Sequence, residues 1–493
     1  MSDPAIDPFA TAGEMLAALR AGQVTSAELT ELHIRRIERH DRALNAVVVR
    51  DFERARQQAG AADRAAARGE PAPLLGLPMT LKESINVVGL RTTCGVPEWA
   101  GAVAQWDAPA AARTRGAGAV LLGKTNVPPM LADWQSANPV YGRTANPWDL
   151  GRTPGGSSGG GAAGLAAGLT ALEVGSDIGG SIRVPAVFCG VYGHRPSETL
   201  LPRSGQFPIP PLPNAAVVMG VQGPLARSAD DLELALSVLA GPDAGEDVAW
   251  RVGLPPARHE RLADFRVAVL PAISWLPVDD EIATALEDLA ARLGRLGATV
   301  KQVQPDMIGD HRAHHVLYRQ LLAAVTGARV DADERRRRVE VWRRAGDEFS
   351  LAAARGLEGT AGDYIAWHGQ REQYRAAYRA FFRDWDVLLA PAINVLAYPH
   401  IPRAWPADDS DLTLTLDVNG RRVPYLLGLA YPAVSTVAGQ PATAFPVGRS
   451  RAGLPVGLQA IGPYLEDLTP IRFAALLAQE IGGFRKPPGF DAS

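Results

Sequence analysis

Apolar positions with helical spacing predict that the chain begins with helices over residues 11–70. The apolar face of this segment includes Leu29, Leu32, His33 and Ile37. Threonine and glutamate have the spacing of a capping box, which marks a helix start, at Thr11 with Glu14 and at Thr25 with Glu28. We expect His33 to pack in the core rather than to bind a ligand, because it lies on the apolar face.

From about residue 72 the pattern changes to short strands separated by glycine-rich turns. Residues 77–82 alternate between apolar and other side chains, which predicts a strand that delivers Lys82 and Glu83 at its carboxyl end. Further strands are predicted at residues 119–122, 265–270 and 387–391, and helices at 108–116, 158–170, 229–240 and 279–296. Short strands that alternate with helices are typical of a layered α/β fold.

The C-terminal half contains a long, charged helical segment, residues 311–384. Its four-arginine run at 335–338 closely follows Asp331, Asp333 and Glu334. Because acidic residues accompany the arginines, we interpret the run as a solvated helix face rather than a nucleic-acid site.

Strand patterns return towards the end of the chain. Asn419-Gly420 lies between the patterns 413–418 and 421–425 and predicts a hairpin with a type I′ turn, and residues 436–461 alternate strand and turn. We predict a single domain over residues 1–493. Its parts are N-terminal helices at 1–70, a catalytic core at 71–308, a helical insertion at 309–385 and a return to the core at 386–493.

Composition excludes several classes of protein. The 493 residues are 47% hydrophobic and carry a net charge of −3, which allows a large core but offers no basic field for nucleic acid or anionic lipid. The first residues lack the features of a signal peptide, and the most apolar window, 162–175, is too short and too polar to span a bilayer. Cys94 and Cys189 allow one disulfide, but a reduced chain is favoured. We therefore expect a cytoplasmic monomer or homodimer with neither a nucleic-acid nor a membrane partner.

Two glycine-rich segments carry the candidate chemistry. Residues 155–161 read Gly-Gly-Ser-Ser-Gly-Gly-Gly, and residues 177–183 read Asp-Ile-Gly-Gly-Ser-Ile-Arg. Glycine lets backbone N–H groups converge on one point, and N–H groups beside a serine hydroxyl fit acyl transfer: the hydroxyl attacks and the N–H groups hold the oxyanion. Ser157, Ser181 and the upstream Lys82 indicate a hydrolase without a catalytic histidine.

Other motifs point to different chemistry. Residues 118–125 match the phosphate-loop pattern Gly-x-x-x-x-Gly-Lys-Thr, but their centre, Ala-Val-Leu-Leu, favours a buried strand, whereas a phosphate loop must be open. The run Gly156-Ser157-Ser158-Gly159-Gly160 also fits the nucleophile elbow of an α/β-hydrolase, with Ser158 as the nucleophile. However, a loop precedes it, and His400, the last of nine histidines, has no further support as the catalytic base. The histidines His311, His314 and His315 have no acidic or cysteine partner at convincing metal-ligand spacing.

The two Gly/Ser segments, the lysine and their order resemble the amidase signature family. The resemblance is clearest over residues 77–196, and weaker matches lie at 223–228, 438–441 and 453–459. It implies an α/β fold in which helices cover both faces of a mixed central sheet, with a helical insertion in the C-terminal half. Two departures from the family pattern are Gly161 after the serine pair and Gly-His-Arg-Pro-Ser at 193–197, which we expect to alter the pocket rim.

The resemblance implies roles for individual residues. Ser181 corresponds to the nucleophile, Lys82 to the general base, and Ser157 to the serine that bridges them, usually on a cis peptide bond. The N–H groups of the oxyanion hole come from Ile178, Gly179, Gly180 and Ser181. Supporting positions are Ser158, Asp177 and Arg183, and substrate-binding positions are Met130, Gly155 and Gly156. No metal or cofactor is implied.

Lysine can act as a base only when it is neutral. A free lysine has a pKa of roughly 10.4, so burial and a serine hydrogen bond must lower the pKa of Lys82 by about two units. The resemblance places the acyl pocket at residues 124–136, where Trp134 is as compatible with the core as with the pocket.

Two kinds of function fit these residues. The apolar, proline-rich loop 207–213 favours a free-standing hydrolase of hydrophobic or aryl amides or carbamates, whose leaving-group side comes from residues 198–215 and the helical insertion. The alternative is the glutaminase subunit of a tRNA-dependent amidotransferase. The sequence does not distinguish an amide from a carbamate or ester, and it does not identify the physiological substrate.

Overall fold

A computed structural model describes residues 6–209, 218–328, 330–405 and 413–491. The described helices are α1 Ala12–Arg20, α2 Ser26–Leu44, α3 Phe52–Ala67, α4 Pro109–Gly116, α5 Gly159–Ala166, α6 Arg183–Cys189, α7 Ala229–Leu239, α8 Asp280–Arg295, α9 His311–Gly327, α10 Ala332–Ala345, α11 Glu348–Glu358, α12 Ala361–Phe381, α13 Ala430–Thr436 and α14 Leu468–Ile481. The described strands are β1 Val47–Arg50, β2 Pro78–Lys82, β3 Val120–Thr125, β4 Ala137–Asn138, β5 Gly142–Arg143, β6 Glu173–Asp177, β7 Tyr192–Arg195, β8 Val221–Ala226, β9 Arg266–Val269, β10 Thr299–Gln302, β11 Val387–Pro391, β12 Thr415–Val418, β13 Arg421–Pro424, β14 Ala442–Arg449 and β15 Pro455–Ile461.

Eleven of these strands form one mixed sheet in the order β1-β3-β2-β6-β8-β7-β14-β15-β11-β9-β10. The neighbours β3, β2 and β6 are parallel, as are β11, β9 and β10, and the remaining neighbours are antiparallel. Strands β12 and β13 pair separately, as do β4 and β5.

Helices cover both faces of the sheet, as the sequence resemblance implies. Successive strand residues alternate between two hydrophobic clusters: Val120 and Leu122 belong to one, and Leu121 to the other. The first cluster includes residues of α5, α6, α9 and α12, and the second includes residues of α1, α4, α7, α8 and α14. This alternation is the period-2 geometry of a strand between two apolar layers.

For the N-terminal residues 11–70, the structure confirms the two predicted helix caps but not a continuous run of helices. Thr11 and Thr25 both form complete capping boxes, and His33 is fully buried on α2 with Nδ1 3.2 Å from the Gly168 carbonyl oxygen. However, residues 47–50 form strand β1 rather than helix, and they pair antiparallel with β3. Three consecutive valines explain the difference, because β-branched side chains favour a strand.

Most of the other element predictions are confirmed within a few residues. The helix predicted at 158–170 ends at Ala166, because the chain turns at Gly168, where φ is +69°. The hairpin turn at Asn419-Gly420 has φ of +53° and +77°, the positive values a type I′ turn requires. Helix α13 was not predicted. Helices α9 to α12 fall inside the predicted insertion, while the division of the chain into domain parts stays a prediction.

The described residues bear on three further features: a disulfide, a membrane-spanning helix and a metal-binding cluster. Cys94 and Cys189 are both buried and form no disulfide. Within the described ranges, no helix combines the length and the apolar character needed to cross a bilayer. Nor do the described residues include a group of three or more His, Cys, Asp or Glu placed to hold a metal ion.

Candidate active site

Sheet topology brings the lysine and one glycine-rich segment together. Strands β2 and β6 are parallel neighbours, with Thr80 opposite Glu173 and Leu81 opposite Val174. Because the carboxyl ends of parallel strands meet at one edge, Lys82 at the end of β2 lies beside Ser176 and Asp177 at the end of β6. The sequence predicted that Lys82 lies at the end of a strand, but it did not predict which strand lies beside it.

Lys82 is fully buried against serine oxygens. Its Nζ donates hydrogen bonds to Ser157 Oγ at 2.7 Å and to Ser176 Oγ at 3.0 Å. Burial lowers the pKa of Lys82 to about 7, although the charges of Asp177 and Glu173 favour its protonated form. Burial therefore favours the neutral amine of Lys82.

Close packing explains the two glycines that precede Ser157. Gly155 has φ of +86°, and a Cβ there would lie 2.6 Å from Pro185 Cα. A Cβ on Gly156 would lie 2.5 Å from the Asp133 carbonyl oxygen. Neither position has room for a side chain. The Gly156–Ser157 peptide is cis, as the resemblance implies.

The second serine lies next to the first segment through a backbone contact. The Ser158 amide donates to the Ser181 carbonyl oxygen at 3.1 Å, just before helix α6 begins. Ser181 is 6% exposed, and among the described residues its hydroxyl makes no hydrogen bond, so Oγ is free to rotate. The structure thus joins Lys82 to Ser157 directly, but it shows no hydrogen bond between the hydroxyls of Ser157 and Ser181.

Asp177 and Arg183 fix the loop between them. The Asp177 carboxylate accepts hydrogen bonds from the amides of Gly180 and Ile182 and from two guanidinium nitrogens of Arg183, at 2.9–3.1 Å. Burial opposes ionisation, but Arg183 and then Arg195 hold the pKa of Asp177 well below its usual range. This buried ion pair fixes the positions of both residues, and their supporting role in catalysis stays a prediction.

The predicted oxyanion loop offers three amides rather than four. The Gly180 N–H is already donated to Asp177 Oδ1 at 3.0 Å, so it is not available to a substrate. Among the described residues, the amides of Ile178, Gly179 and Ser181 donate no hydrogen bond. Gly180 instead supplies the turn, with φ of +90° and Val184 Cγ2 2.8 Å from where its Cβ would be.

Ser158 and Met130, a predicted supporting residue and a predicted substrate-binding residue, are each held by a hydrogen bond to the backbone of another residue. Ser158 Oγ lies 3.3 Å from the Ser176 amide, whose hydrogen bond it accepts, which ties the serine pair to β6. Met130 has φ of +53°, and its amide donates to the Cys94 carbonyl oxygen at 3.0 Å. A substrate contact through the Met130 backbone would therefore use its carbonyl oxygen.

Sequence reasoning missed Glu173 as part of this region. The carboxylate is fully buried and accepts hydrogen bonds from the hydroxyls of Thr80 and Thr125. Burial raises the pKa of Glu173 to about 7. A Cβ on Gly161 would lie 2.5 Å from Glu173 Cγ, so the glycine that departs from the family pattern makes room for this acid. An acidic residue within an apolar strand pattern was the available signal.

The other departure, at residues 193–197, begins on a buried strand of the central sheet. His194 and Arg195 are fully buried on β7. The His194 ring bonds to Thr443 and Asp467, and Arg195 donates to the carbonyl oxygens of Met219 and Gln440. These contacts give the two residues structural roles within the sheet, and an effect of this segment on the pocket rim stays a prediction.

The competing motifs have structural explanations. Gly123, Lys124 and Thr125 lie within strand β3, and Lys124 Nζ bonds to the Arg91 carbonyl and to Thr92 Oγ1, so the phosphate-loop geometry is absent there. The described residues just before Ser158 form no strand, which an elbow requires. His314 and His315 are buried among aromatic rings of Tyr374, Phe349 and Tyr318, and burial lowers the pKa of His314 to about 3. Residues 210–217, which include most of the predicted apolar loop, lie outside the described part of the chain.

Comparison with known proteins agrees with this arrangement. The sequence model of the Amidase family matches residues 28–469. A glutamyl-tRNA(Gln) amidotransferase subunit of Synechococcus sp. (strain CC9605) is 32% identical over 498 residues, which cover 95% of this chain and 96% of the relative.

Solved structures match over nearly the whole chain as well. A bacterial aryl acylamidase of the amidase signature enzymes superimposes with a TM-score of 0.78 at 26% identity, covering 96% of both chains. A 6-aminohexanoate cyclic dimer hydrolase complexed with substrate superimposes with a TM-score of 0.78 at 27% identity, covering 98% of this chain and 99% of the other.

Proposed function

The chain belongs to the amidase signature family of hydrolases, and we propose that it cleaves the C–N bond of small amides through an acyl-enzyme formed on Ser181. The observation that carries this proposal is the buried Lys82–Ser157 contact of 2.7 Å, beside a loop with free amide groups.

Lys82 is the general base in this mechanism. Its neutral form takes the proton of Ser157 Oγ, which takes that of Ser181 Oγ as Ser181 attacks the amide carbonyl carbon. A pKa of about 7 supports this role, because the ideal base has a pKa near the working pH. The missing hydrogen bond between the two serines would form when Ser181 Oγ rotates, since such contacts often tighten only in the substrate complex.

The oxyanion that forms on the substrate accepts hydrogen bonds from the free amides of Ile178, Gly179 and Ser181. Donors that are already in position for developing charge are usually the largest contribution to catalysis of this kind. The Asp177–Arg183 ion pair supports the proposal because it fixes the loop before substrate arrives.

Collapse of the tetrahedral intermediate breaks the C–N bond. The proton held by Lys82 returns through Ser157 to the leaving nitrogen, and the amine departs. Water then attacks the acyl-enzyme by the same proton route, which releases the acid and restores Ser181. The atoms balance as one amide and one water giving one acid and one amine.

We propose a hydrophobic or aryl-bearing substrate, with carbamates as a further possibility. Support comes from the apolar side chains against the oxyanion loop: Cβ atoms built on Gly179 and Gly180 would lie 3.0 Å from Leu429 Cδ2 and 2.9 Å from Pro432 Cγ. Ile178, within the loop, is itself apolar and partly buried. A small molecule with an apolar acyl or amine part would be complementary to these side chains.

A second candidate function is the glutaminase activity found in the amidotransferases. The 32% identity to the Synechococcus amidotransferase protein favours it. Glutamine has charged α-amino and α-carboxylate groups, which need polar partners. Leu429 and Pro432, which face Gly179 and Gly180, are apolar, and the polar groups of Tyr318 and Trp134 are already bonded to loop carbonyls. We therefore favour the free-standing amidase.

The decisive experiment compares purified wild type and Ser181→Ala on matched aryl amides, aryl carbamates, aryl esters and glutamine. Hydrolysis of aryl amides that Ser181→Ala lacks would support the main proposal. Turnover of glutamine alone would support the second candidate, and carbamate or ester turnover would fix the breadth of the substrate class. No Ser181-dependent hydrolysis of any member would contradict both functions.

A further inference from the structure

The peptide groups of the candidate oxyanion loop are held one by one through their carbonyl oxygens. Tyr318 Oη donates to the Ile178 carbonyl at 3.1 Å, Trp134 Nε1 donates to that of Gly179 at 3.0 Å, and the Val184 amide donates to that of Gly180 at 2.7 Å. Each contact comes from a different part of the chain.

A trans peptide group is planar, so its N–H points away from its carbonyl oxygen. Holding the Ile178 carbonyl therefore aims the Gly179 N–H in the opposite direction. Among the described residues, Tyr318 is the single hydrogen-bond partner of this peptide, because the Gly179 amide donates to no protein group. The next peptide is held at both ends, by Trp134 and by Asp177 through the Gly180 amide.

Tyr318 is itself firmly placed. It lies on α9 in the helical insertion, it is fully buried, and its ring stacks on His315 with centroids 5.7 Å apart. Burial raises the pKa of Tyr318 above its ordinary value, so the hydroxyl stays protonated and available as a donor at any pH where the enzyme would work. The residue is 140 positions away from Ile178 in sequence.

We propose that Tyr318 is a positioning residue of the oxyanion hole: its hydroxyl orients the Ile178–Gly179 peptide so that the Gly179 N–H faces the developing oxyanion. This inference rests on the proposed function and adds a role for the helical insertion. Tyr318 touches no reacting atom; it acts through the peptide it holds. A Cβ on Gly179 would lie 3.1 Å from the Tyr318 hydroxyl, so the loop and the tyrosine are in direct contact.

The test is Tyr318→Phe, which removes the hydroxyl and keeps the ring. Loss of a whole oxyanion-hole donor costs about 10²–10³ in kcat. Loosening one donor should cost less, so we expect kcat to fall roughly ten-fold while KM stays within about two-fold, since the hole acts mainly in the transition state. A trifluoromethyl ketone that forms a tetrahedral adduct should bind more weakly by the same factor as kcat falls.

Tyr378→Phe is the matched control. Tyr378 is also fully buried, and its hydroxyl donates to a backbone carbonyl, that of Val434, rather than to a carbonyl of the oxyanion loop. We expect it to lower the melting temperature as much as Tyr318→Phe while kcat and inhibitor affinity stay at wild-type values. Incorporation of p-aminophenylalanine at position 318 restores a donor and should restore kcat.

The outcomes separate this inference from the proposed function. If wild type hydrolyses amides, Ser181→Ala does not, and folded Tyr318→Phe retains full kcat and inhibitor affinity, the role of Tyr318 is wrong and the proposed function stands. If wild type hydrolyses nothing, both are wrong. Should Tyr318→Phe fail to fold, 4-methylphenylalanine fills the same space without a donor and must show the same loss of kcat.

Discussion

Lys82 Nζ lies 2.7 Å from Ser157 Oγ, and both side chains are buried. A charged ammonium without a carboxylate in direct contact is costly in such surroundings, so burial favours the neutral amine. The neutral amine can accept a proton from the hydroxyl it contacts. The contact therefore links the packing of the end of β2 against the first glycine-rich segment to acid–base chemistry, and its consequences can be measured.

Ser181→Ala should abolish turnover of every substrate that wild type hydrolyses, because alanine has no oxygen with which to form an acyl-enzyme. A fluorophosphonate should label wild type once, and peptide mapping by mass spectrometry should place the adduct on Ser181. Ser158→Ala is the control for the neighbouring hydroxyl and should still be labelled. An adduct on Ser158 would instead support the nucleophile-elbow interpretation.

Gly155→Ala should destabilise the protein beyond the cost of its backbone conformation. A left-handed backbone costs a non-glycine residue about 1–2 kcal/mol, and at this position a Cβ would also meet Pro185 Cα at 2.6 Å. Gly69→Ala is the matched control, since Gly69 has φ of +72° with open space around its Cβ position. Urea unfolding should show a larger loss for Gly155→Ala, and equal losses would contradict the close contact.

The phosphate-loop resemblance should have no functional counterpart. Calorimetry with Mg²⁺ and ATP or GTP should show no saturable heat, because Lys124 is buried within β3 and its ammonium bonds to the Arg91 carbonyl and Thr92. We expect Lys124→Ala to lower the free energy of unfolding, by about 1–3 kcal/mol for the unsatisfied partners. A micromolar dissociation constant that Lys124→Ala removes would overturn this interpretation.

Local patterns were sufficient to predict several parts of the site. The alternation at residues 77–82 indicated a strand ending at Lys82, and the glycine-rich segments marked Ser157 and Ser181. What could not be predicted depends on pairing between distant segments. Ser176 contacts Lys82 because β2 lies beside β6, and Tyr318 reaches Ile178 from a helix 140 residues away. A local sequence pattern carries no information on such register or packing.

The error at residues 47–50 has a similar cause. The helical pattern on either side of this segment suggested continuity, whereas the edge of β3 pairs with Val47, Val49 and Arg50, and valine has a strong strand preference. The number of free amides in the oxyanion loop could not be predicted from local sequence either, because the Asp177 side chain accepts the hydrogen bond of the Gly180 amide.

Glu173→Gln should move the acid limb of the kcat/KM pH profile to lower pH. The charge of Glu173 favours protonated Lys82, so the neutral amide should lower the pKa of Lys82 further. Lys82 faces Glu173 through its charge, and the hydroxyls of Thr80 and Thr125 donate hydrogen bonds to it. The glutamine oxygen can accept one of these hydrogen bonds, and its NH₂ group can donate to the other hydroxyl. Thr125→Ala is the control that perturbs the same pocket without removing charge. An unchanged acid limb in Glu173→Gln would contradict this electrostatic coupling.

Lys82 gives the sharpest test of the mechanism. The pKa of Lys82 is lowered to about 7, so kcat/KM of wild type should rise with pH through that value and level off at mildly alkaline pH. The reason is that protonated lysine cannot accept the proton of Ser181 through Ser157. Lys82→Ala should lower the acylation rate by about two to four orders of magnitude and remove the acid limb. Lys82→Arg should not restore activity, since arginine stays charged. Ser157→Ala should retain more activity, because a water molecule can replace the bridging hydroxyl. The measurement is the pH profile of kcat/KM on one activated aryl substrate, and near-wild-type activity of Lys82→Ala at neutral pH would rule out lysine as the base.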